Sequence, residues 1–102
     1  METNILAEEK PKNVKLADGK EYTLPPIDLT TLANVETTMG FGFNKFSTRM
    51  ESETIGTLRL LIYALLKETY PDLTLDGVGR LITLKEMTSL SATISEIMVI
   101  SS

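Results

Sequence analysis

Residues 58–82 read LRLLIYALLKETYPDLTLDGVGRLI, and this stretch decides the architecture of the chain. It opens inside a run whose apolar positions, Ile55, Leu58, Leu60, Leu61, Ile62, Ala64, Leu65 and Leu66, leave only Gly56, Arg59, Tyr63, Lys67 and Tyr70 as a polar strip at helical spacing. The spacing predicts a helix from about Ser52 or Glu53 to about Thr69. So broad an apolar surface belongs to a helix buried centrally, or to one whose second face meets a partner. Pro71 stops it, because the residue before a proline avoids the helical region. Thr74 is then placed to cap a short helix carrying Leu75, Val78, Leu81 and Ile82. Gly77 and Gly79 inside that helix lower its propensity and point to another backbone packed close by, with Gly79 the better placed.

Upstream, NVKLADGKEYTL over 13–24 carries a strand signal on both sides of Asp18-Gly19. A two-residue loop would mix apolar and polar positions on each face. A three-residue loop, Ala17-Asp18-Gly19, pairs Val14 with Tyr22, Leu16 with Lys20 and Lys15 with Glu21, and keeps one face apolar. That register needs a left-handed residue and a bulge at the third loop position, which Gly19 supplies. Pro25-Pro26 ends the second strand. Asp28 is an N-cap candidate for a helix over 29–39 with Leu29, Leu32, Val35 or Glu36, and Met39 at helical spacing, and Gly40 stops it. Residues 1–12 read as a flexible tail preceding one domain over 13–102.

The segment GFGFNKFSTRM over 40–50 holds every phenylalanine of the chain and reads as a loop. Two readings stand for Phe41, Phe43 and Phe46: rings plugged into the core, or an exposed aromatic anchor for a partner protein. Thr83-Leu84-Lys85-Glu86 has the capping-box form and starts a last helix with the stripe Leu84, Met87, Leu90, Ile94, Ile97 and Met98. The end, Val99-Ile100, is apolar and joins the three phenylalanines as a candidate interaction site. The sum is an α+β domain, mostly α: an N-terminal β-hairpin followed by about four helices around one core.

Composition narrows function mainly by exclusion. The 102 residues contain no Cys, His or Trp, so a catalyst would lack thiol and imidazole, and no enzyme activity, cofactor or metal is expected. Glu68, Asp72 and Asp76 gather around the Pro71 turn, but their spacing matches no calcium loop. The net charge is −4, with six Lys/Arg and seven Asp/Glu in residues 1–50 and four and seven in 51–102. Nucleic-acid binding draws on a basic surface that is missing here. A helix-turn-helix reading would leave only Arg80 and Lys85 to meet phosphates in an acidic half. No apolar run approaches membrane-spanning length, and the N-terminus has no secretory h-region. A protein partner is the expectation that remains.

The pieces Gly19-Lys20-Glu21-Tyr22, Leu58–Leu66, Pro71-Asp72-Leu73-Thr74 and Val78–Ile82, in this order, resemble the tail assembly chaperones of long-tailed bacteriophages and prophages. The resemblance spans about residues 13–98; family members often carry an acidic pair where this chain has Leu75-Asp76-Gly77. It implies a protein of the infected host's cytoplasm that binds the tape-measure protein, recruits tail-tube subunits and is left out of the mature virion. It also implies that a longer frameshifted form exists in many members, and it transfers no active-site residue. An alternative class is a virion component, such as a head–tail connector or minor subunit; a small DNA-binding regulator is a more distant one. Self-association into a homo-oligomer is expected from the breadth of the central helix.

Overall fold

The computed structural model describes residues 12–101. Of the expected tail, Lys12 belongs instead to the first strand, and the remainder lies outside the described residues. Strands β1 (Lys12–Lys15) and β2 (Glu21–Leu24) form an antiparallel hairpin in the expected register, with Val14 opposite Tyr22 and Lys15 opposite Glu21. The Leu16 N–H donates to the Lys20 carbonyl at 3.1 Å and the Gly19 N–H to the Leu16 carbonyl at 2.9 Å. Gly19 has φ 82°, the left-handed value the three-residue loop demands.

Five α-helices follow: α1 (Leu29–Met39), α2 (Phe46–Ser52), α3 (Thr54–Lys67), α4 (Leu75–Leu81) and α5 (Leu84–Ser101), with one 3-10 turn at Phe43–Lys45. The extra helix relative to expectation is α2. It comes from the glycine-phenylalanine segment, whose local sequence suggested a loop. Buried Phe43 and Phe46 lie in contact on its core side and hold the turn and helix together. Asp28 caps α1 by accepting from the Thr31 N–H at 2.9 Å, and Gly40 ends it in the left-handed conformation.

Helix α3 is the hub. It packs on α1, α2, α4 and β2, while α5 closes the other side against β1, α2 and the 3-10 turn. Leu61, Ile62, Ala64, Leu65 and Leu66 of α3 are buried, and a fully buried Leu or Ile contributes roughly 1.5–3 kcal/mol of transfer free energy. Intramolecular packing thus accounts for much of the broad apolar surface. Ile55 is the exception at 76% exposed, and buried Thr57 takes the core position one turn in. Its hydroxyl donates to the Arg49 carbonyl at 3.2 Å and ties α3 to α2.

The expected stripes of α1 and α5 hold at Val35, Met39, Leu90 and Ile97, which are buried, and at Leu32, Ile94 and Met98, which pack against the core. Polar residues join them, and the first residue of each helix strays. The buried side of α1 is Thr31, Val35 and Met39, and Leu29 is exposed. In α5 the buried line is Glu86, Leu90, Thr93 and Ile97, with Leu84 exposed. Both strays are the first residue of their helix, where the chain has not yet reached the core. Glu86 can be buried because it accepts from the Thr83 N–H at 2.8 Å and from the Thr83 hydroxyl. No buried side-chain polar atom among the described residues lacks a partner. No helix among them is long and apolar enough to cross a membrane.

Candidate functional site

The α3–turn–α4 unit is fixed from both ends. The Tyr70 N–H donates to the Leu66 carbonyl and the Leu73 N–H to the Tyr70 carbonyl, at 2.9 and 3.0 Å, which turns the chain back after Lys67. The Tyr70 hydroxyl accepts from the Thr23 N–H at 2.8 Å, and its ring meets Tyr22 edge-on at 5.0 Å. The turn is therefore anchored to β2. Thr74 then caps α4 by accepting from the Gly77 N–H at 3.0 Å, as the sequence predicts.

Between α3 and α4 this unit encloses a surface cleft of about 400 Å³. Ile55, Ile62 and Ile82 supply its apolar lining, Gly56 and Gly79 lie along it, and Arg59, Asp76 and Arg80 stand at its polar edge. Arg80 Nε donates to Asp76 Oδ2 at 3.2 Å, while Arg59 Nη1 is 4.0 Å from Asp76 Oδ1. Two guanidinium groups share one carboxylate, which leaves one positive charge in excess at the edge. The close approach expected at Gly79 is real, but its partner is a side chain and not a backbone: a β-carbon there would lie 2.8 Å from Arg59 Cδ. Glycine lets the Arg59 stem cross α4 on its way to Asp76.

The sequence-predicted interaction residues are scattered. Phe43 (7% exposed) and Phe46 (0%) are core residues with ring centroids 5.9 Å apart, so the plug reading describes them and the exposed-anchor reading does not. Phe43 is held by its N–H donating to a Glu36 carboxylate oxygen at 2.8 Å. Phe41 is half-buried, its ring covered by the Arg49 guanidinium at 4.6 Å. Val99 is exposed near the end of α5, and the Ile100 side chain lies outside the described residues. None of the four whose side chains are described lines the cleft.

Sequence reasoning placed Ile55 in the core and Gly56 on a polar strip, so it missed the cleft they help form. The available signal was Ile55-Gly56 one turn ahead of Arg59, opposite an Arg80-containing helix. Two other depressions lie beside Tyr22, Tyr70 and Leu73, and between Leu16 and Glu86. The acidic residues near Pro71 are dispersed: Glu68 accepts from Asn34 Nδ2 and Asp76 pairs with the arginines. Among the described residues no three such groups converge as metal ligands would. Comparison of the chain with known protein families, with curated proteins and with solved structures finds no match.

Proposed function

We propose that this chain is a tail assembly chaperone of a long-tailed bacteriophage or prophage, a binding protein and not an enzyme. It acts in the host cytoplasm, binds the tape-measure protein, brings tail-tube subunits to it and leaves before the virion is complete. The observation that carries this reading is that residues 58–82, which bear most of the resemblance, form a continuous α3–turn–α4 unit with an apolar cleft on its outer side. A chaperone for a long helical protein needs an apolar surface that its own core leaves uncovered. It also needs to stay dispersed while empty, and a net charge of −4 on 102 residues serves that. Self-association belongs to the same reading, and Leu29 and Leu84, each with most of its surface exposed, are apolar contacts a second copy could use.

The test is co-expression with the large helical product encoded just downstream, followed by affinity purification through a tag on that product. Recovery of this chain in the complex is the expected result, and its absence sinks the reading. Mass spectrometry of purified particles separates chaperone from connector: a stoichiometric amount in finished virions assigns the chain to the structural alternative. Light scattering at high concentration reads self-association, and a strict monomer removes that part.

A further inference from the structure

We propose that the α3–α4 cleft is a docking site for one amphipathic helix of a partner protein, with an apolar side chain flanked by a carboxylate. Three independent features of the cleft point to this occupant. The first is Gly56. Of the six glycines in the chain, Gly19 and Gly40 have positive φ, and β-carbons on Gly42, Gly77 and Gly79 would crowd Asn44, Thr74 and Arg59. At Gly56 a β-carbon would meet no atom of the described residues within 4 Å. Gly56 stands in the first turn of α3, and neither its φ nor a neighbouring side chain among the described residues requires glycine there. A backbone arriving from outside does give a reason for it, since a bare helix face lets a second helix approach closely.

The second feature is Ile55, next to Gly56 and 76% exposed, which with Ile62 and Ile82 makes an apolar lining. The third is charge. The second half of the chain carries a net −3 from four Lys/Arg and seven Asp/Glu, yet among the described residues the cleft edge has Arg59 and Arg80 against Asp76. Arg80 is 80% exposed in its side chain and keeps donors to spare after its bond to Asp76. An apolar cleft with a cationic edge selects an apolar helix bearing an acid over one bearing a base. Identifying that helix with the tape-measure protein rests on the chaperone reading; the docking chemistry does not.

The probes are two synthetic helical peptides of equal length, each with leucines at i and i+4, flanked by glutamates in one and lysines in the other. Binding to the full chain is followed by amide chemical shifts and by fluorescence anisotropy. The glutamate peptide is expected to shift the signals of Ile55, Gly56, Ile62 and Ile82 and to bind more tightly than the lysine peptide. Gly56→Leu fills the open space with a better helix former and is expected to fold while weakening binding by at least about tenfold. Arg80→Glu, at an exposed position, is expected to reverse the preference between peptides. Equal binding of both peptides, shifts located elsewhere, no binding at millimolar peptide, or undiminished binding by Gly56→Leu each overturns the proposal. So does a concentration-dependent shift of the cleft signals without peptide, which would make the occupant a second copy of the chain. Failure here with successful co-purification removes the cleft but leaves the chaperone reading; the reverse result does the opposite.

Discussion

Gly56 and Gly79 stand on neighbouring helices and answer differently to the same substitution. At Gly56, in the first turn of α3, a methyl group enters open space, so Gly56→Ala is expected to stabilise the fold by up to about 0.5–1 kcal/mol, the value for a helix middle. For a domain of this size that raises the melting temperature by roughly 4–8 °C per kcal/mol. At Gly79 the methyl group would lie 2.8 Å from Arg59 Cδ. Gly79→Ala must push the Arg59 stem off α4 and away from Asp76, and it is expected to show no such rise. Thermal melts of the two variants side by side check both; an equal gain at the two sites would show that the Arg59 stem yields at no cost. Thr74 gives a second test of the same unit. Thr74→Ala leaves the Gly77 N–H without its side-chain acceptor and is expected to cost about 1 kcal/mol, whereas Thr74→Ser keeps the oxygen and most of the stability.

At the scale of elements, the least regular segment of the sequence turns out to be fastened in the core. Phe46 begins α2 with none of its surface exposed and packs on Phe43. Phe46→Ala is expected to cost about 3–5 kcal/mol, a large part of the roughly 5–15 kcal/mol that holds a small domain together. Chemical denaturation checks it; a loss below about 1 kcal/mol would mean that the site collapses around the void. The contrast with the hairpin shows what kind of information is local. Hairpin register, the Asp28 and Thr74 caps and the stop at Gly40 follow from residues within a few positions of one another, and all were legible. The faces of α1 and α5 were legible in their aliphatic members, Val35, Met39, Leu90 and Ile97, but not in the polar residues that join them or in the first residue of each helix. Thr31, Thr93 and Glu86 occupy core positions while Leu29 and Leu84 face outward, because α3 and the hairpin decide where the core begins. The cleft was illegible for the same reason: Ile55 and Ile82 are 27 positions apart in the chain, and only the turn at Pro71 brings them together.

Over the whole molecule, charge and hydrogen bonding make opposite demands as pH falls. The net charge of −4 shrinks towards zero near the sequence pI of about 4.8, so relief of self-repulsion alone would favour the folded state down to that point. Three carboxyls oppose the trend at separate corners of the fold. Asp18 is held below its ordinary value by accepting from the Tyr22 hydroxyl at 2.7 Å and then from the Lys20 N–H. Asp28 is lowered by the Thr31 N–H, and Glu86 by the Thr83 hydroxyl and then its N–H. A group whose folded value is depressed binds fewer protons folded than unfolded, so its contribution is present above the unfolded value and lost as pH falls through the folded one. Stability is therefore expected to be level or slightly rising from neutrality to about pH 5 and to fall steadily below about pH 4, the ordinary carboxylate range. Tyr22 has the reverse sign: the bond to Asp18 raises its value, and that contribution disappears only as pH climbs beyond about 10. Urea midpoints measured across pH 7 to 3 read the acid limb. Asp28→Asn separates the specific term from the general one, because asparagine caps a helix about as well as aspartate but does not titrate. The variant is expected to match the parent closely at neutral pH and to show a shallower acid limb. An equally steep limb would assign the acid loss to the other carboxyls or to the positive charge that accumulates below the pI.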